Sequence, residues 1–288
     1  MDDAQVIEPY RTGICLVGIE SATSDALRFL ITHCNELQRS FEFELIPLNP
    51  GDPLVQQLKA PRAITADAKF NSLVEGFAGR QKAFESRLAD AFDLKPCSHP
   101  SYVIISLARF TNGFYAWGRN ETEIIALGGW ERAFAPPSLA EYALTITLRL
   151  AASSAVPALE SERHLGTLGC LMDFNQSLDT VRFKVLNSFI CADCRRVLSA
   201  GRGDQAYKDL LLLLGKTWLG ESQNALSPAG ICRKLGYDLF LTRGIKPSWW
   251  ETVSGKLLGD AVTETIKLVA ALLLALLLLR LGLKAAGG

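Results

Sequence analysis

Hydrophobic and polar positions keep two alternating rhythms through the first half of the chain. Thr12 to Glu20 (TGICLVGIE) is a short apolar run rich in β-branched residues and reads as a buried strand. Ser24 to Gln38 spaces Leu27, Leu30, Cys34 and Leu37 three and four residues apart, which predicts a helix, and Phe41 to Ile46 returns to strand. This β-α-β opening points to an α/β sheet. Ala68 to Phe92 reads as a long helix of mixed charge. Tyr102 to Leu107 and Glu123 to Leu127 read as further strands, separated by an aromatic, turn-rich stretch from Phe110 to Asn120. Pro136 and Pro137 stop the preceding chain, and Ser138 with Glu141 has the spacing of a capping box. The helix that follows, to about Ala152, is apolar on most sides and is expected to cross the core.

Beyond Glu160 the pattern becomes loop-like as far as Cys194, and small helices are expected over Asp204 to Leu214 and Pro228 to Leu239. Trp249 and Trp250 introduce the final segment. Leu268 to Leu279 is an uncharged apolar run of twelve residues, bounded by Lys267 and Arg280. Twelve residues fall short of the ~20 that cross a bilayer. Extended to Ala261 and Leu283, the run becomes 23 residues, roughly 35 Å of helix. Glu264, Lys267 and Arg280 then lie near its ends, where long cations can snorkel. Leucine on every face leaves no side for solvent, so a single-pass membrane helix over 261–283 is favoured over a buried core or oligomer helix. The expected organisation is an α/β domain over 1–160, a zinc-binding segment over 161–200, a small helical region over 201–250 and a membrane helix over 251–288.

Composition refines this picture. Thirty basic residues balance thirty acidic ones among 288, which argues against a nucleic-acid binder. The hydrophobic fraction of 49% is high for a wholly soluble chain, and the excess is local to the tail. Met1-Asp2-Asp3-Ala4-Gln5 shows no basic stretch leading into an apolar one, so no secretory signal is expected and the bulk of the chain is placed in the cytoplasm. There the odd set of seven cysteines points to metal or thiol chemistry rather than a disulfide framework.

The strongest chemical signal is His164, Cys170, Cys191 and Cys194. The Cys-x-x-Cys at 191–194 can place two thiolates on one zinc ion, and His164 with Cys170 would complete a tetrahedron. Four protein ligands leave no open position, so such a zinc site is structural. The plainer alternative is a set of buried reduced cysteines near an unrelated histidine.

The same stretch carries a resemblance. Cys170-Leu171-Met172, Phe174, Ser177-Leu178, Lys184, Phe189, Cys191-Ala192-Asp193-Cys194 and Leu198 resemble the C-terminal cysteine portion of the archaemetzincins over about thirty residues. That family joins a HExxHxxGxxH catalytic helix to a four-cysteine zinc site. Aligned on it, His164 falls at the third catalytic histidine, but Ser154, Ala155 and Ala158 occupy the HExxH positions and Leu165 replaces the first structural cysteine. The chain's three histidines, His33, His99 and His164, include no pair four residues apart. The resemblance therefore implies a degenerate metzincin-like domain, a pseudoenzyme in which His164 stands in for the lost cysteine.

Other signals are weaker. Gly215-Lys216-Thr217 lacks the glycine-rich cradle of a phosphate loop, with Leu210 where the first glycine belongs. Asn120-Glu121-Thr122 fits a glycosylation acceptor, irrelevant in cytoplasm. His33 beside Cys34 reads as core or surface, and Cys97 with His99 as a minor source of metal ligands. Trp117, Arg119, Asn120, Trp130, Glu131, Arg132 and Tyr142 gather near two strand ends and a helix start. An amphipathic rim is the plain reading of that group. If the domain binds a small molecule, an anion held by Trp117, Arg119, Trp130, Arg132 and Tyr142 is the expectation.

These features together suggest a tail-anchored cytoplasmic sensing, scaffolding or membrane-effector protein with structural zinc, able to homo-oligomerise, as bacterial defence effectors do. The alternative is a tail-anchored zinc metallopeptidase with a rearranged site, in which Glu160 or Glu162 near His164 serves as the base.

Overall fold

The computed structural model describes residues 8–19, 21–59, 63–95, 99–128, 137–161, 164–166, 169–175, 178–237 and 239. Every described residue falls within one compact unit, Met1–Lys246. The fold is mixed α/β. Strand β1 (Tyr10–Val17), helix α1 (Ser21–Leu37) and strand β2 (Phe41–Leu45) form the expected first unit, with β1 and β2 parallel. Short helix α2 (Pro53–Leu58), strand β3 (Ala63–Ile64) and long helix α3 (Ala68–Ala91) lead to β4 (Ser101–Ser106). Asp52 caps α2 and Asp67 caps α3, each accepting amide hydrogens from the first turn.

The chain continues through β5 (Arg109–Phe110), β6 (Ala116–Arg119) and β7 (Thr122–Ala126). The main sheet has the order β2-β1-β4-β7-β6, and β3 pairs with β5 in a two-stranded ribbon. Only β6 runs antiparallel within the main sheet, tied to β7 by the turn at Asn120 and Glu121. Asn120 takes a φ of 51°, a left-handed conformation that asparagine tolerates well. The stretch expected to be only turn-rich thus contains an edge strand. Its pattern is too short to announce itself: Ala-Trp-Gly-Arg is half-buried to exposed along its length.

Burial explains why β1, β2, β4 and β7 were legible, while the two-residue strands β3 and β5 were not. All six residues of β4 are buried, as expected of a strand with both faces covered. Ile14, Val103, Ile105 and Ile125 join one core with α1 and helix α4 (Leu139–Ala155), whereas Cys15, Tyr102, Ile104 and Ile124 join a second core with α2 and α3. Alternation along each strand makes a three-layer sandwich. Fourteen of the seventeen residues of α4 are buried, and Ser138 and Glu141 close the expected capping box at its start.

The region after Glu160 departs from expectation. It is not loop throughout, because α5 (Leu178–Asn187) lies inside it. Cys191 is the N-cap of α6 (Ala192–Gly215), so this helix begins twelve residues before the expected Asp204, counting from Ala192. A break at Gly203, φ 82° and ψ 163°, divides α6 into two pieces and hides its length from the periodicity. Helix α7 (Pro228–Lys234) stops short of the expected Leu239. The cysteine segment and these helices share the first core with the sheet, since Met172, Val185, Leu198, Leu210 and Cys232 are buried in it. The strand at the start also ends earlier than expected, at Val17, where Gly18 turns the chain at φ 68°. Among the described residues no helix is long and apolar enough to cross a membrane, and the expected span 261–283 lies outside them.

Candidate metal centre

The loop between α4 and α5 and the start of α6 bring His164, Cys170, Cys191 and Cys194 together. Their ligand atoms all lie within 4.8 Å of one another. Two short parallel bridges set the loop: His164 opposite Asp173, and Cys170 opposite Phe189. Gly169, at φ 138° against the Asn187 side chain, is the turn that delivers Cys170; a Cβ there would sit 2.4 Å from Asn187 Cβ. The first turn of α6 then sets Cys191 and Cys194 on one side of the helix start.

The spacing fits a tetrahedral ion. Two sulfurs each about 2.3 Å from a tetrahedral centre lie about 3.8 Å apart, and a sulfur and an imidazole nitrogen about 3.5 Å apart. Here Cys170 Sγ and Cys194 Sγ are 4.0 Å apart, and His164 Nε2 is 3.2 Å from Cys191 Sγ and 3.5 Å from Cys194 Sγ. The imidazole is oriented from behind: Nδ1 lies 2.6 Å from Asp173 Oδ1. A carboxylate can only accept, so Nδ1 carries the hydrogen and Nε2 presents its lone pair to the thiols. The other Asp173 oxygen accepts from the Gly169 amide at 3.0 Å, locking carboxylate and turn together.

Ionisation runs the same way. The hydrogen bond with Cys194 is the largest influence on Cys170 and, against burial, brings that thiol down to about 5. The proton is held by Cys194, which the same hydrogen bond and burial push up. A site that already favours one thiolate is suited to a cation. This His/Cys3 cluster can hold a metal ion with no position left open. Among the described residues no other group of three or more His, Cys, Asp and Glu side chains converges in this way.

Two residues that build this centre were given no role from sequence: Asp173 went unnamed, and Lys184 entered only through the resemblance. Asp173 is nearly fully buried and fixes His164. Lys184 is fully buried, donates to the Asp173 carbonyl and lies 3.3 Å from Tyr115 Oη. The acidic residue one place after the Cys-x-Met was the available signal for Asp173.

The remaining candidates are scattered. His99 lies between Glu85 and Glu44, its ring nitrogens 3.2 and 3.1 Å from their carboxylates, and Cys97 lies outside the described residues. Cys34 is buried, and burial pushes its thiol up to about 12, while His33 stacks on Phe29. Glu160 faces Arg149, with Nη2 to Oε1 at 3.8 Å, and Glu162 lies outside the described residues. Trp117 and Arg119 sit on β6, the guanidinium 5.0 Å above the indole. Tyr142 does not join them: it is fully buried on α4, edge-on to Tyr115 at 6.4 Å, because the fourth residue of this helix faces the sheet. Trp130, Glu131 and Arg132 lie outside the described residues.

No protein-family model and no curated protein matches the sequence. Among solved structures, an archaemetzincin from Methanopyrus kandleri overlays with a TM-score of 0.38 and 11% identity, over 70% of this chain and 98% of that one. The likeness is distant.

Proposed function

We propose that this chain is a membrane-tethered sensing, scaffolding or effector protein whose metzincin-like α/β domain is held by one structural zinc ion rather than used for peptide hydrolysis. The observation that carries the zinc part is the convergence of four protein ligand atoms, His164 Nε2 and the sulfurs of Cys170, Cys191 and Cys194. Four protein ligands close a zinc shell, whereas a hydrolytic zinc keeps a place for water. Zinc is favoured over other divalent ions by a soft three-thiolate, one-imidazole donor set in tetrahedral spacing. The membrane part is supported by the uncharged leucine-rich run within 261–283. In this reading the bulk of the chain is cytoplasmic, and homo-oligomers couple the domain to the bilayer.

Two measurements on the full-length chain test this. Metal analysis should return one zinc per chain; two would favour the metallopeptidase, and none would remove the structural ion. Ending the chain before Ala261 should move the protein from an alkaline-carbonate-resistant membrane fraction to the soluble one, with its zinc and thermal transition kept. A full-length chain found wholly in the soluble fraction, or a truncated one that aggregates through an uncovered apolar groove, would sink the tether.

A further inference from the structure

A cleft of about 270 Å³ runs along the outer edge of β6, and its lining is charged and aromatic. Tyr115, Trp117 and Phe174 supply flat apolar walls, and Arg119, Arg149 and Asn175 supply polar groups. Arg149 projects from α4 with its side chain 7% exposed. A guanidinium stays charged when buried. Yet its Nε is buried with no hydrogen-bond partner, and its ion pair with Glu160 at 3.8 Å is beyond hydrogen-bond reach. Across the same lining, the Asn175 side-chain oxygen is also buried and unpartnered. A buried cationic donor and a buried neutral acceptor without partners, both on residues that line one cleft, are costly unless something completes them.

We propose that this cleft binds a small oxyanion, a carboxylate or a phosphate, attached to a flat ring that carries a hydrogen-bond donor. The oxyanion meets Arg149, the donor meets Asn175, and the ring lies against the aromatic walls. The lining carries two guanidinium groups and one carboxylate, Glu123, with the Glu160 carboxylate 3.8 Å from Arg149, so the pull on an anion comes from the buried Arg149 donor and not from a net charge. The walls rest on the metal loop proposed above. Phe174 N donates to the His164 carbonyl at 2.9 Å, and Asn175 follows Asp173 by two residues. Tyr115 on the facing wall lies against Lys184, which holds the Asp173 carbonyl. Asp173 thus links the His164 imidazole to both sides of the cleft, giving a sensing domain a ligand seat built on its structural ion.

Binding to the full-length chain in detergent, at fixed ionic strength, should be followed by isothermal titration calorimetry. The probes are 4-hydroxybenzoate and indole-3-acetate for carboxylates, adenosine monophosphate for phosphates, and 4-hydroxybenzamide, indole-3-acetamide and adenosine as uncharged counterparts. At least one acid should bind ten times more tightly than its uncharged counterpart, and the better arm identifies the oxyanion. Arg149→Met should reduce that affinity at least tenfold, and Asn175→Ala severalfold. Acids and uncharged counterparts binding equally, no probe binding, or Arg149→Met binding as well as the original chain would each overturn the assignment. The acid-to-amide ratio needs no variant, so it stands even if Arg149→Met does not fold. Zinc content measured on the same samples separates the two readings: absent binding with zinc in place rejects the cleft alone, and absent zinc with selective binding rejects the metal alone.

Discussion

Two histidines in this molecule have both ring nitrogens engaged, and they do opposite things. His164 gives Nδ1 to Asp173 and turns Nε2 to the cysteines. His99 gives both nitrogens to carboxylates, Glu85 and Glu44, with Tyr102 also reaching Glu85 and Arg11 holding Glu44. The first arrangement leaves a lone pair facing sulfur, a soft site for a metal. The second offers two acceptors to one ring, which is satisfied only when both nitrogens carry hydrogens, so the cation it holds is the imidazolium. The chemistry of each histidine here is decided by what stands at the second nitrogen.

The largest expected effect breaks the metal side of this contrast. Cys194→Ser should release the metal and cost more than about 4 kcal/mol, a fall in Tm of about 10 °C or more, because the ion's binding energy is folding energy. Cys191→Ser should follow it, and His164→Ala should lose less. Elemental analysis beside calorimetry is the check, and all three variants keeping both metal and Tm would show that the cluster holds no ion.

A smaller effect probes the proton side. His99→Leu leaves Glu85 without its cation and Glu44 with Arg11 alone, and should cost about 2–3 kcal/mol near pH 6. Burial opposes the charged form of His99, yet the hydrogen bonds to Glu85 and Glu44 outweigh it and the pKa is raised. A raised pKa gives stability that is complete below the unfolded value near 6.5 and is lost as pH rises through the folded value. Glu44 runs the other way: burial opposes its charge, but Arg11 and His99 lower its pKa, so its contribution fades only under acid. The Tm gap between the original chain and the variant should therefore shrink as pH is raised from 6 to 9. A constant gap would mean that His99 acts by packing alone.

The smallest effect sharpens the comparison at one atom. Asp173→Asn keeps the shape behind His164 but removes the charge that fixes its tautomer, and should weaken metal affinity about tenfold, or about 1.4 kcal/mol. Competition with a chromophoric chelator measures it. Affinity unchanged within twofold would assign Asp173 to holding the Gly169 turn only.

Local pattern carried a good part of the fold. Strands β1, β2, β4 and β7, helices α1 and α3 and the capped start of α4 were legible because burial on a sheet or helix face imposes its own period on the residues. The Cys-x-x-Cys was legible for a similar reason, since one helical turn fixes the spacing of Cys191 and Cys194. Edge strand β6 was not, because a half-exposed strand of four residues imposes no such period. Neither was α5, short and of weakly segregated faces between two loops, nor the unity of α6 across Gly203.

What the sequence determined by itself was the set of side chains able to do chemistry: one close cysteine pair, a few histidines and a leucine-rich tail. What only the tertiary structure decided was which of them meet. Asp173 reaches His164 across nine residues, and Glu44 reaches His99 across 55. Arg149 on α4 and Asn175 in the metal loop meet at one cleft with Trp117 on β6. Such pairings leave no periodic trace, because each comes from the path of the backbone through space rather than from the face of a single helix or strand. A contact made by the fold costs only the closure of the loop between its partners, and that cost grows too slowly with loop length to tie partners to any sequence spacing.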